Sequence, residues 1–289
     1  MRKDKLYKAF IYLVLVVFTL SILVPIMWVF MASIKQNSEF MGNPFSIPKS
    51  FYFKNFIDAF IKAKMGVYFL NSVIVTAMAL FLLVITAVPA AYVLARFEFR
   101  GVNVLKSFVK AGMFINVSYI VIPIFLLLLK GDKFLNSLHL IKGAFFLNNL
   151  FVLALVYAST SLPFTIYILT GFFETLSKSY EEAAYIDGAG YFTTMIKVMA
   201  PLARPSIITI ILFNFMEFWN DYIIALTLMT DNSRTLPVGL LSLMASSREA
   251  ANYGVLYAGM VIAMLPILIL YIAVQNKITQ GMALGGSKE

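Results

Sequence analysis

Few side chains in this sequence can do acid–base, nucleophilic or metal chemistry. Across 289 residues there are 14 Asp and Glu, one histidine (His139) and no cysteine. No apolar run carries a paired acid and base, a Ser–His set or a cluster of metal ligands. No G-x-x-x-x-G-K-S/T loop is present to cradle a phosphate. The chain is therefore read as a non-enzyme that binds no cofactor. What remains is hydrogen-bonding chemistry inside apolar sequence. Asn214, Glu217 and Asp221 recur at spacings of three and four, with Asn220 alongside, inside the apolar stretch Pro205 to Thr230. On a helix that spacing makes one polar stripe. Carboxylates are costly in hydrocarbon, so the stripe is expected to face a translocation path or a partner; the alternative is interhelical glue. Asn116 and Tyr119, with Ser118, Asn148 and Asn149, are weaker path candidates of the same kind. His139 reads as a solvated surface residue.

The elements that must position these groups follow from composition. Sixty-one per cent of the residues are hydrophobic and 13% charged, against about a quarter charged in a soluble domain. The mean hydropathy is +0.87. A bilayer is the solvent that such a chain requires. Stretches free of charge run Ala9 to Ile34, Met65 to Ala95, Ala111 to Leu129, Gly143 to Phe173 and Ala250 to Asn276, and Pro205 to Thr230 is broken only by Glu217 and Asp221. A helix needs roughly 20 apolar residues to span the hydrocarbon core, so six spans are expected. The runs are continuous rather than alternating, which excludes a β-barrel reading.

The net charge of +9 is spread over short segments between apolar runs, as membrane topology and anionic lipid headgroups require, and not as a nucleic-acid surface. Arg2, Lys3, Lys5 and Lys8 at the N-terminus, and Arg96, Arg100, Lys106 and Lys110 after the second span, place both segments in the cytoplasm. Lys35, Lys49, Lys54, Lys62 and Lys64 oppose that assignment. The prolines and aromatics of Gln36 to Lys64 indicate a folded outer loop.

One segment between the fourth and fifth spans stands apart: Ser179-Tyr180-Glu181-Glu182-Ala183-Ala184-Tyr185-Ile186-Asp187-Gly188-Ala189-Gly190. Ser179 reads as an N-cap, and Glu182 three residues on completes a capping box. Both glutamates suit the positive helix end, and Asp187-Gly188 supplies the stop. A second run, Tyr191 to Val198, must end near Pro201. Two short helices joined by a glycine turn form either a knob for a groove on another protein or an interfacial helix on lipid headgroups.

Glu182-Ala183-Ala184, Asp187-Gly188-Ala189, and Pro201 with Pro205 resemble, in order and spacing, the EAA loop of permeases in binding-protein-dependent ABC importers. Asn71-Ser72, Leu162-Pro163-Phe164, Trp219-Asn220-Asp221, Leu236-Pro237 and Leu265-Pro266 extend the resemblance to the carbohydrate branch, and the six-span form resembles the maltose-transporter-type second permease. The resemblance implies an all-α membrane protein with the type I importer permease fold. It divides the chain into residues 1–66 (tail, first span, outer loop) and 67–289 (permease core with the EAA loop, 179–205). It makes Glu181, Glu182, Ala183, Ala184, Asp187 and Gly188 a coupling helix that docks on a cytoplasmic ATPase dimer, which binds the ATP and magnesium. The implied partners are that ATPase, a second permease, an extracellular or periplasmic solute-binding protein, a carbohydrate and membrane lipid. The implied location is the prokaryotic cell membrane with both termini cytoplasmic. The polar outer loop Asp231 to Asn252, with Arg234, Ser246, Ser247, Arg248 and Glu249, either reaches the binding protein or merely connects two spans. A secondary transporter of a small polar solute is the rival class; it calls for structural repeats around an ion site, and no repeat is visible.

Overall fold

The computed structural model describes residues 2–140, 143–230, 232–250 and 252–286, with side chains described at 7–140, 143–230, 232–247 and 252–274. All regular structure among them is helical. Backbone hydrogen bonds closed within one segment are what a bilayer demands of a chain this apolar. In chain order the helices are α1 (Arg2–Ser33), α2 (Asn37–Gly42), α3 (Lys54–Ile57), α4 (Met65–Arg96), α5 (Val102–Gly112), α6 (Val117–Ser137) and α7 (Leu150–Thr175). They continue as α8 (Ser179–Ile186), α9 (Tyr191–Thr194), α10 (Ala200–Leu202), α11 (Arg204–Asn220), α12 (Ile223–Leu228), α13 (Leu236–Ala250) and α14 (Tyr253–Gly286). Tyr7–Ser33, Met65–Arg96, Leu150–Thr175 and Tyr253–Val274 are long and apolar enough to cross a membrane as single helices. Two bent pairs, α5 with α6 at 101° and Tyr191–Leu202 with α11 at 74°, are apolar enough to bring the number to six where each pair counts as one broken span.

The contacts divide the chain into two units: Met1–Val67 with Gly239–Pro266, and Tyr68–Val238 with Ile267–Glu289. The first unit thus takes in 239–266 together with residues 1–67. In that unit the segment after α1 is folded. Lys35 is fully buried, and its ammonium donates to the carbonyls of Asn43 and Pro44 and to Ser46 Oγ. Buried Asn55 donates to the carbonyls of Ser33 and Lys35. Trp28 packs against Phe40, Phe45 and Tyr257 and donates to the Pro44 carbonyl. Residues 236–250, expected as polar loop, form helix α13, because Leu236, Leu240 and Leu243 recur at helical spacing behind a polar start. Leu236 and Leu243 are buried, and Gly259 lets Leu243 approach so closely that a Cβ there would lie 2.6 Å from it.

In the second unit the expected spans shift in register. The third, expected over Ala111 to Leu129, is α6, and the chain turns into it at Asn116, whose side chain accepts from the Ser118 amide (2.9 Å) as an N-cap. Gly112 sits against Pro163, 2.8 Å from where a Cβ would lie, so the corner closes only with glycine. The fourth begins at Leu150 instead of Gly143, because residues 143–149 are a clipped turn. There Asp132 accepts the amides of Phe145, Phe146 and Leu147 at 2.7, 2.7 and 3.0 Å. The fifth ends at Asn220, and α12 packs beside α6 and α7. One apolar core, with Leu83, Tyr92, Tyr157, Phe173, Met199, Ile210 and Phe218 among its members, joins α4, α7, α11 and the segment before α11.

Candidate functional site

α8 is short and ends where glycine is required. The amide of Asp187 donates to the Ala183 carbonyl and that of Ala189 to Ala184, while Gly188 takes φ +82°, a left-handed geometry that costs any other L-residue. Nothing lies within 4 Å of where a Gly188 Cβ would be, so conformation alone selects the glycine. The expected capping box is absent. Lys178 is the N-cap and makes no side-chain cap; Ser177 Oγ accepts the Ser179 amide at 3.2 Å. Ser179 is already the first helical residue and the residue before it, Lys178, is itself in helical geometry at φ −64° and ψ −21°, so Ser179 cannot stand as the cap.

The faces of α8 differ. Glu181 and Ala184 turn into the chain and are buried, whereas Glu182, Ala183, Tyr185, Ile186, Asp187 and Gly188 are exposed. Of the two alanines, only Ala183 lies on the outward face. Ile186 is 86% exposed, and on the following helical segment, which runs through a π turn at Met195–Met199, Phe192 is 71% exposed. Exposed apolar side chains on this knob suit contact with a partner protein or with lipid better than a solvated turn.

An arginine that in the sequence is one of the topology charges holds this knob. Arg96, in the last turn of α4, lies with its Nε 3.4 Å from Glu181 Oε1, both side chains nearly buried, and its Nη2 donates to the Leu176 carbonyl (2.8 Å) just past α7. One turn earlier Tyr92 packs against Phe173 and Tyr191 at 5.6 and 5.7 Å. Lys106 of α5 bridges Glu174 of α7 at 2.8 Å. The signal in the sequence was a helix-terminal arginine at a favourable dipole end.

The polar stripe of α11 meets a matching stripe on α7. Tyr157, Ser161 and Thr165 recur every four residues. Tyr157 donates to Asp221 Oδ2 (2.7 Å), Ser161 lies 3.4 Å from Glu217 Oε2, and Asn214 Nδ2 lies 3.2 Å from Thr165 Oγ1. Asp221 also accepts the amides of Ile224 and Ala225 and so starts α12. Asn214 is fully buried. Asn214, fully buried, and Asp221, half-buried, are thus hydrogen-bonded across to α7, the arrangement that the interhelical alternative expects. Glu217 and Asn220 stay exposed. Asn116 caps α6, and Tyr119 is exposed without joining the stripe. Asn148 accepts from the Thr230 amide (3.0 Å) and from the Ser233 hydroxyl, and Asn149 caps α7. The carbonyl of Arg234 accepts from Asn71, Ser246 bonds back to Leu243, and Ser247 is buried. The side chains of Arg248 and Glu249 lie outside the described residues.

Residues 87–284 match the family model described as binding-protein-dependent transport system inner membrane component, more than half of the chain. The chain belongs to that family. It is a permease subunit of an ABC importer that works with a solute-binding protein, and it is not itself an enzyme. The permease is 34% identical over 283 residues to the diacetylchitobiose uptake system permease protein NgcG of Streptomyces coelicolor, covering 98% of this chain and 89% of that one. It is 27% identical over 292 residues to the trehalose/maltose transport system permease protein MalG of Thermococcus litoralis, covering 100% and 99%. A chain in the crystal structure of a bacterial ABC transporter that imports the acidic polysaccharide alginate superposes with TM-score 0.79 at 26% identity, covering 96% and 98%. The type I importer permease fold is therefore this chain's fold, as the EAA-like segment implies.

Proposed function

We propose that this permease moves an oligosaccharide into a prokaryotic cell by alternating access, driven by an ATPase dimer that docks on segment 179–205. The observation that carries the proposal is the outward face of α8. It presents Glu182, Ala183 and Ile186 on a rigid turn closed by Gly188 at φ +82°, a shape suited to a groove on a separate protein. ATP and magnesium belong to that ATPase. Its closure biases a two-state membrane domain, so this chain needs to do no chemistry of its own. The relatives named for diacetylchitobiose and for trehalose and maltose support a di- or oligosaccharide cargo. A second, sister permease completes the pore, with both termini of this chain in the cytoplasm. Glu217 and Asn220, exposed on α11, are the residues offered to sugar hydroxyls, and the segment around α13 is the one offered to the binding protein.

The test is purification of the complex with its ATPase and sister permease, reconstitution with the binding protein, and a screen of oligosaccharides for stimulated ATP hydrolysis. Severalfold stimulation by one oligosaccharide, with uptake, is expected. An ATPase that does not co-purify, or stimulation confined to a non-sugar solute, would overturn the reading.

A further inference from the structure

Three buried polar atoms gather where α4 meets α8: Tyr92 OH, Arg96 Nε and Glu181 Oε1, none of them in a well-aligned hydrogen bond. Arg96 Nε and Glu181 Oε1 are 3.4 Å apart, close enough for ion pairing and not aligned as a hydrogen bond. The side chains are 5% and 11% exposed, so water does not screen the pair as it would at a surface. Buried polar groups are nearly always hydrogen-bonded in proteins, and a charged pair left incomplete is poised to change its geometry. The same arginine is anchored through Nη2 to the Leu176 carbonyl at 2.8 Å. Tyr92 is wedged edge-on against Phe173 and lies 5.7 Å from Tyr191. One turn of α4 therefore touches the end of α7, the buried side of α8 and the start of α9.

We propose that Arg96 and Glu181, with Tyr92, form a positioning latch that carries displacement of α8 into α4. Pressure on the outer face of α8 closes the ion pair into full hydrogen bonds and moves α4 with it. Glu181 and Glu182 then have separate tasks on adjacent positions: Glu182 faces outward toward the docked partner, and Glu181 faces inward toward the bundle. The latch rests on the ATPase-docking reading above.

The experiment compares the wild-type complex with E181Q, E181D and the double variant R96Q/E181Q, reconstituted with the binding protein carrying the oligosaccharide that best stimulates the wild type. Co-purification of the ATPase, ATP hydrolysis and sugar moved per ATP are all measured. E181Q is expected to retain the ATPase and hydrolyse ATP within about twofold of wild type while sugar moved per ATP falls at least about tenfold. E181D, which keeps the charge, recovers most of the coupling. Removing both charges relieves the burden of a single buried one, so R96Q/E181Q assembles even where E181Q does not, and is equally uncoupled. Normal coupling in E181Q or the double variant overturns the latch. So does a parallel loss of ATPase and transport, or failure of both variants to assemble, since the pair would then only hold the fold. An ATPase absent from the wild-type complex overturns the docking reading and the latch with it.

Discussion

Gly188 and Gly190 are two residues apart in one turn, yet only the first has to be glycine. Gly188 lies at φ +82° while Gly190 is extended, and neither faces an obstructing atom. Gly188→Ala forces a left-handed alanine at a cost of about 1–2 kcal/mol, and the ATPase should dock about tenfold more weakly. Gly190→Ala should match the wild type in the same titration. The Tyr157–Asp221 bond obeys a second residue-scale rule. A hydrogen bond between helices in lipid is worth about 0.6 kcal/mol, so Tyr157→Phe should lower the thermal midpoint of the complex only slightly. Asp221→Ala loses that bond together with the start of α12 and should cost about 1–2 kcal/mol more, read as a clearly larger drop in midpoint. A path-lining Asp221 would instead change transport while leaving the midpoint unmoved.

At the scale of elements, a carboxylate sets where a span begins. Asp132 holds the amides of Phe145, Phe146 and Leu147, and Asn136 pairs with both the amide and the carbonyl of Gly143. Asp132→Ala leaves donors unpaired at about 1–3 kcal/mol each, and limited proteolysis should then cut faster within 143–149; unchanged cutting would show that the clip is dispensable. Elements were legible where local chemistry decides. The spans show in their apolar lengths, and the stop of α8 shows in Asp187-Gly188, since glycine is the residue that suits αL. Span ends were less legible, because Asp132 acts on amides more than ten positions away. α13 was hidden by the polar residues Asn232, Ser233 and Arg234 that precede it. The α11 stripe was visible by its spacing, but its partner stripe on α7 is made of Tyr, Ser and Thr, which read as ordinary span residues. Arg96 looked like topology charge because Glu181 is distant in sequence.

On the scale of the whole molecule, the family places this chain among permeases that depend on a binding protein, and its α8 knob is the surface proposed to meet a motor. The absence of cysteine makes one measurement unusually clean. A183C and A184C place single thiols on neighbouring positions of α8, the first exposed and the second buried. In the reconstituted complex, A183C should crosslink to the ATPase subunit and react with a membrane-impermeant maleimide only from the cytoplasmic side, while A184C does neither. Reaction of A183C from the opposite side, or no crosslink to a nucleotide-hydrolysing subunit, would contradict the account.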